Sequence, residues 1–190
     1  MLLFPPVRHH FLAALVFICG FICGLSSLRA ATLERLSLEE MTTRSTSIVR
    51  GKIESSWAAF SGPVIYTHFK IRVTERWKGP NQASVEIVVP GGVANNLRQS
   101  FAGAPEFATG EEYVFFLWSG EDRLTQVIGL TQGLFSLAQD NAADPVATRA
   151  ASRELMFERT TGKPVKDQTL VMRLSELRTR INSTLGAKGK

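Results

Sequence analysis

The sequence predicts a mainly β fold of about five or six strands, with a short helix before the strands and an amphipathic helix after them. Between residues 47 and 139, apolar and polar side chains alternate in short runs separated by turns that contain glycine or proline. This pattern is typical of strands. Near the C-terminus the apolar spacing becomes that of a helix. Residues 1–31 have the composition of a targeting segment, which does not belong to the fold.

Residues 1–31 have the three-part layout of a secretory signal peptide. The basic residue Arg8 precedes an apolar run, and small residues at Ala30 and Ala31 suit cleavage. The alternative is an uncleaved N-terminal membrane anchor, because residues 11–28 approach the roughly 20 residues that span a bilayer. We therefore expect an exported protein, periplasmic or secreted. The sequence leaves the cleavage and the final compartment open.

Both cysteines, Cys19 and Cys23, lie in this segment. Cleavage would leave an exported chain of about 160 residues without disulfides, long enough for one domain that buries about 70% of its unfolded surface. Loss of Arg8 and Arg29 would lower the formal net charge from +5 to +3. So small a charge argues against a dedicated nucleic-acid binder, which needs a strong and clustered basic surface.

Residues 32–46 predict a short N-terminal helix, and residues 47–139 predict the β domain. The helix follows from the spacing of its apolar residues, and the hydrophobic period then changes to two. Inward-facing side chains are expected in three strands, at Val49, Gly51, Ile53 and Trp57, at Phe69, Ile71, Val73 and Trp77, and at Val85, Ile87 and Val89. Residues 113–118 are apolar at both odd and even positions, which predicts a strand buried on both faces. Two further strands are expected in residues 124–138.

Residues 140–190 predict a helical extension that packs on the strands. Residues 153–157 suit a short helix after a loop. An amphipathic helix of about 27 Å then follows from apolar residues three or four positions apart. Its stripe consists of Leu170, Leu174, Leu177, Ile181 and Leu185. The sequence alone allows this stripe to pack on the chain's own strands or on a partner, and the second alternative describes a structural or assembly protein.

The loop before the apolar strand carries three carboxylates, Glu106, Glu111 and Glu112. Two carboxylates about 5–9.5 Å apart could serve a hydrolase. In this alternative Glu106 pairs with Glu111, with Glu112 or with another acid of the chain. Glu111 and Glu112 are adjacent, so in a strand they would face opposite sides. Glycine and proline residues around them favour a solvated turn. We therefore assign no catalytic residue.

His68 is the one histidine beyond residue 31, where the sequence has no cysteine. Because histidine and cysteine are the usual zinc ligands, and histidine is the most frequent general base, we predict no metal site and no cofactor. The composition favours a protein that is not an enzyme. We expect His68 on an exposed strand face, and Trp57, Trp77 and Trp118 among the residues that fill the core.

The sharpest surface feature of the sequence is basic. If the first two strands form a hairpin, its outer face carries Arg50, Lys52, Lys70, Arg72 and Arg76. Like charges opposite each other in an antiparallel pair are mildly destabilising, so this face predicts a binding surface for an anionic partner. Candidate partners are an anionic envelope polymer, a lipid head group or an acidic protein. The alternative is an ordinary solvated face that nearby carboxylates, such as Glu54 and Glu86, neutralise.

Two strings, RVTERWKG at residues 72–79 and GEEYVFFL at residues 110–117, carry a resemblance to a known family. With the short helix and long strands around them, residues 47–138 resemble the netrin-like branch of the OB-fold, which includes the inhibitory domain of tissue inhibitors of metalloproteinases. Similar strings occur in exported bacterial proteins. The resemblance implies a small Greek-key barrel flanked by helices, a shape that serves binding.

One difference from that family limits what the resemblance implies. The inhibitors chelate their target's zinc through a disulfide-bonded cysteine at the mature N-terminus. This chain would begin near Ala31 or Thr32 and would contain no cysteine. No inhibitory residue therefore carries over. The resemblance and the composition together imply an exported, non-catalytic binding module of the cell envelope.

Overall fold

The computed structural model describes residues 32–138 and 143–187. The expected signal peptide or membrane anchor in residues 1–31 lies outside the described residues and stays a prediction. The described residues form thirteen strands and two helices. The strands are β1 (Thr32–Glu34), β2 (Ser47–Ser61), β3 (Val64–Lys78), β4 (Ser84–Pro90), β5 (Gly92–Ala94), β6 (Leu97–Gln99), β7 (Glu112–Ser119), β8 (Thr125–Val127), β9 (Leu134–Leu137), β10 (Val146–Arg149), β11 (Leu155–Phe157), β12 (Pro164–Val165) and β13 (Leu170–Arg173). The helices are α1 (Leu38–Arg44) and α2 (Leu174–Ala187).

Eight of the described strands form the main sheet. They lie in the order β13, β10, β9, β7, β2, β3 and β4, and β8 pairs with the second half of β7. The strands β2, β3 and β4 follow one another as hairpins, and β7 returns to lie beside β2, which is the Greek-key order. The sheet is open, and its edge strand β4 contacts β8. The contact between β4 and β8 shows that the sheet curves, and this curvature gives the fold its small, barrel-like form.

The mainly β fold is confirmed, together with the short helix near its start and the helix at its C-terminal end. The six expected strands correspond to β2, β3, β4, β7, β8 and β9. The remaining strands are short. Three of them, β1, β11 and β12, form a separate sheet, and β5 pairs with β6 as a hairpin in a passage where the sequence shows no period.

The expected helix at residues 153–157 is wrong. Leu155–Phe157 is strand β11, which pairs in parallel with β1 at the start of the described chain. The amphipathic helix also begins later than expected. Leu170–Arg173 forms β13, because pairing with β10 along the edge of the main sheet satisfies its backbone. The helix α2 therefore begins at Leu174.

Two apolar cores lie on opposite faces of β2 and β7. The barrel core contains Val49, Ile53, Phe69, Ile71, Ile87, Val89, Phe115, Leu117 and Val127. The helix-side core contains Ile48, Val114 and Phe116 of the sheet, with Met41 of α1 and residues of β9, β10, β13 and α2. Residues 114–117 of β7 have no exposed surface, so the expected burial of this strand on both faces is confirmed there.

The apolar stripe of α2 packs against the helix-side core. Leu174, Leu177 and Ile181 are buried in that core, and Leu185 packs against it partly buried. The helix α1 contacts α2 and begins with a capping box. The amide of Glu40 donates to the Ser37 hydroxyl at 3.1 Å, and the amide of Ser37 donates to the Glu40 carboxylate at 2.8 Å. Both helices therefore cover the sheet of their own chain.

Two of the three tryptophans expected in the core lie at the surface instead. Trp57 is 45% exposed and Trp118 is 47% exposed. Trp77 packs, partly buried, against the helix-side core. Trp118 has the strand parity of Phe116, but it lies beyond the residues that form that core. For Trp57 the reason is a shift in strand register.

Candidate functional site

The hairpin of β2 and β3 positions the basic residues, and irregularities in its register decide which of them meet. Lys52 lies opposite Arg72, and Ser55 lies opposite Lys70. The register skips Glu54, which is the extra residue of a bulge in β2. This bulge leaves Glu54 without a direct cross-strand partner and places its carboxylate between the two cations of β3.

The residues Lys52, Lys70 and Arg72 form a basic cluster, in which Lys70 and Arg72 flank the Glu54 carboxylate and Lys52 lies opposite Arg72. The Glu54 carboxylate lies 3.4 Å from the Lys70 Nζ atom and 3.5 Å from the Arg72 Nε atom. The Lys70 and Arg72 side chains are more than half exposed, and within residues 32–138 and 143–187 Lys52 takes part in no ion pair. Lys70 and Arg72 thus share one carboxylate on a surface open to water, and in the strand register Lys52 lies opposite Glu112 and Lys70 lies opposite Glu86.

Arg50 belongs to a different group of charges. Its guanidinium donates to Glu112 of β7 and to Glu75 of β3, each at 2.8 Å. Glu75 also accepts a hydrogen bond from the Trp77 indole at 3.2 Å and forms an ion pair with Arg178 of α2. Arg50 is therefore neutralised in a network that joins three strands to the C-terminal helix.

Arg76 also lies outside the basic cluster. Two further register shifts lie between Arg76 and the regular part of the hairpin. As a result, Arg50 lies opposite Glu75, and Arg76 lies opposite Val49 of the barrel core. Its guanidinium donates to the carbonyl oxygen of Gly79 at 2.9 Å. The structure thus brings together Lys52, Lys70 and Arg72, and it places the other two basic residues in separate surroundings.

An aromatic pair extends the outer face beyond the basic cluster. After the bulge at Glu54 the parity of β2 is reversed, so Trp57 lies opposite His68 rather than in the core. The two rings stack with centroids 5.1 Å apart and planes 12° apart. The His68 Nδ1 atom lies 2.7 Å from the Glu86 carboxylate. The sequence contains no signal for this bulge, so the alternation of apolar and polar residues predicts the wrong face for Trp57.

The three carboxylates at the start of β7 and in the loop before it have different surroundings. Glu111 accepts hydrogen bonds from the Ala108 amide at 2.7 Å and the Tyr113 hydroxyl at 2.6 Å, and Glu112 is bound to Arg50. Glu106 is exposed. The Tyr113 hydroxyl followed by the Ala108 amide lowers the pKa of Glu111, so its ionised form is favoured and it is a poor proton donor.

The same loop closes one side of the barrel core. Phe107 contacts Phe69, Tyr113 and Phe115, with ring centroids 5.0, 5.4 and 5.9 Å apart. Burial, and then the neighbouring Glu111 carboxylate, raises the pKa of Tyr113, so its hydroxyl stays protonated and donates. Gly110 lies in the left-handed region with φ of 89°, where residues with side chains are strained. The loop is a structural turn.

Replacing Glu111 with glutamine should lower stability at neutral pH and have little effect in acid. Because the folded pKa of Glu111 is depressed, its contribution is present above the unfolded pKa of about 4.3 and is lost as the pH falls through the folded value. We expect a loss of up to about 1 kcal/mol, since the side chain is partly exposed. The measurement is urea unfolding of both proteins across the acidic range. A difference that does not change with pH would contradict this role.

A cleft of about 410 Å³ lies between the loop at Gly103 and residues 150–154. Its charged lining residues, Arg153 and Glu154, have opposite signs, so the cleft offers an anionic ligand no net positive charge. No group of histidine, cysteine, aspartate or glutamate residues in the described ranges could hold a metal ion.

Comparison with known proteins gives no family assignment. No family model matches the chain, and neither a curated protein nor a solved structure matches it significantly. Neither helix in the described part of the chain is long and apolar enough to cross a membrane.

Proposed function

We propose that this chain is an exported, non-catalytic binding module of the cell envelope that holds an anionic polymer on the basic cluster of Lys52, Lys70 and Arg72. Export follows from the signal-like composition of residues 1–31. The open, barrel-like sheet suits a binding role, as does the netrin-like resemblance. Fold alone does not determine function, so the proposal depends on the chemistry of the cluster.

One observation carries this proposal: Lys70 and Arg72 share a single carboxylate, and Lys52 beside them forms no ion pair in the described residues. Lys52 and Arg72 lie directly opposite each other in the hairpin, an arrangement that like charges disfavour. Glu54 approaches Lys70 and Arg72 only at 3.4 and 3.5 Å, and exposed pairs of this kind contribute little. An anionic ligand would relieve the repulsion that remains.

The shape of the surface favours a polymer among the anionic partners. The basic cluster lies on an exposed strand face rather than in a cleft, so it suits a ligand that lies along the surface. The Trp57–His68 stack continues the same face and offers a flat ring surface beside the charges. A polymer with charges at intervals could contact several cations at once, which increases its affinity through multiple attachment.

The test is salt-dependent binding of the purified protein to anionic envelope polymers, with uncharged polymers as controls. We expect binding that weakens as salt rises, because exposed charges are screened. Replacing Lys70→Glu and Arg72→Glu together should weaken binding at least about tenfold, since two attractions become repulsions. The matched control is Lys163→Glu with Lys166→Glu, which changes the net charge equally on exposed residues that flank β12. Circular dichroism would check that both variants fold.

The outcomes separate the remaining partners. Binding that the control variant loses equally would reflect net charge and would remove the basic cluster as the site. Binding to anionic lipid vesicles but to no polymer would assign the surface to a lipid head group. If neither binds, the polymer proposal fails and an acidic protein is the partner to seek.

The two alternative functions lack support from particular contacts. A hydrolase that pairs Glu106 with Glu111 would need Glu111 as a reactive carboxyl, and this group is held by Tyr113 and Ala108. An assembly protein would expose the apolar stripe of α2, whereas Leu174, Leu177 and Ile181 are buried against the chain's own sheet.

A further inference from the structure

The outer half of β2 presents an unpaired strand edge. On the side of β2 away from β3, pairing with β7 ends at Lys52 opposite Glu112. Ile53 then exchanges backbone hydrogen bonds with the loop, from its amide to Glu111 and from Gly110 to its carbonyl. Beyond Ile53, and considering only the described parts of the chain, β2 is paired with β3 alone. Residues 55–61 thus leave one row of backbone groups available to another strand.

This edge segment, which follows the bulge at Glu54, lacks two of the usual protections against strand addition. Natural edge strands carry charged residues or proline that discourage pairing with another chain. Residues 55–61 read SSWAAFS and contain neither. Their two aromatic side chains, those of Trp57 and Phe60, are 45% and 40% exposed. An edge segment without charge or proline, beside exposed aromatic rings, is suited to pairing with an extended chain.

We propose that the partner of this edge is the same edge of a second copy of the chain. The two copies would pair as antiparallel strands about a two-fold axis at Ala58, which joins their main sheets into one. This inference does not depend on the proposed anion binding, because it uses the strand edge rather than the basic cluster. A two-fold arrangement requires a self-complementary segment.

The segment meets this requirement in both size and charge. Antiparallel pairing about Ala58 sets Trp57 opposite Ala59 and Ser56 opposite Phe60 of the other copy. Each aromatic side chain therefore faces a small residue, so the rings have room to cover the neighbouring strand. The outermost pair sets Ser55 opposite Ser61. Residues 55–61 contain no charged residue, so electrostatic repulsion within the segment does not oppose the pairing of two copies.

The outermost serine pair allows a direct test by charge exchange. A lysine variant carries Ser55→Lys and Ser61→Lys, and an acidic variant carries Ser55→Glu and Ser61→Glu. In either variant alone, two pairs of like charges would meet across the axis, and we expect the dissociation constant to rise at least about tenfold. In an equimolar mixture each lysine meets a glutamate, so mixed dimers should form.

Sedimentation equilibrium of the purified protein, from low to high micromolar concentration, measures these states. The wild-type protein should dimerise within this range. The control, Gln82→Lys with Thr160→Lys, adds two lysines at exposed positions outside the edge and should dimerise like the wild type. A wild-type protein that stays monomeric would overturn the proposal. So would a lysine variant that dimerises normally, or a mixture that does not restore the dimer.

Discussion

Replacing Asp167 with asparagine should destabilise the protein by about 3–5 kcal/mol, because it leaves a buried guanidinium without its counter-charge. The Arg149 Nη2 atom lies 2.7 Å from the Asp167 carboxylate, and the two side chains are only 4% and 2% exposed. The same carboxylate accepts a hydrogen bond from the Ser152 amide at 2.8 Å. The Arg149 Nη2 atom also donates to the Gln168 carbonyl oxygen at 2.7 Å, and in the described residues the Nε and Nη1 atoms have no partner. Asp167 therefore supplies the counter-charge of this guanidinium in the described residues. Urea unfolding measures the loss.

An exposed ion pair provides the matched control for this prediction. Arg180 pairs with Glu39 at 3.1 Å, and both side chains are about half exposed. Replacing Glu39 with glutamine should cost less than about 1 kcal/mol. Replacing Arg149 with methionine together with Asp167 with leucine should recover much of the loss, because no charge remains buried. A loss for Asp167→Asn as small as the control's would mean that Arg149 gains compensation from water.

Replacing Phe116 with alanine should cost about 3–5 kcal/mol, the loss expected when a large side chain leaves a cavity in a packed core. Phe116 has no exposed surface, and its ring packs against Phe135 with centroids 5.7 Å apart. It lies in the helix-side core, where it contributes to the packing of the sheet against both helices. The unfolding free energy from a denaturant titration measures this effect.

The control lies two residues further along the same strand. Trp118 has the same parity as Phe116 but is 47% exposed, so its replacement with alanine should cost within about 1 kcal/mol. Similar losses for the two variants would show that Trp118 also packs into a core. This comparison directly tests the finding that one of two neighbouring aromatic residues lies at the surface.

The long strands could be predicted because their signals are local. Alternation in β3 identified Phe69 and Ile71 as inward-facing, and both lie in the barrel core. Continuous apolarity in β7 identified burial on both faces. The strands β11 and β13 could not be predicted in this way, because each is defined by a partner elsewhere in the chain. The spacing of Leu170 and Leu174 fits a helix, but pairing with β10 determines the structure.

The same distinction applies to the candidate site. The alternation of apolar and polar residues predicts that Lys52, Lys70 and Arg72 share a face. This prediction is correct because Lys52 and Arg72 are in regular register. It fails for Trp57, which follows the bulge at Glu54. A bulge changes which residues meet without changing composition or hydrophobicity, so no pattern in the sequence locates it.

The sharing of β7 between two cores has a consequence for how the protein comes apart. The backbone that supports Val114 and Phe116 on one face supports Phe115 and Leu117 on the other. Loss of either core would remove this strand from the sheet and expose the other core to water. We therefore expect the two cores to unfold together, with the strands that line them as one cooperative unit. Amide protons in this strand should then exchange with solvent only when that unit opens.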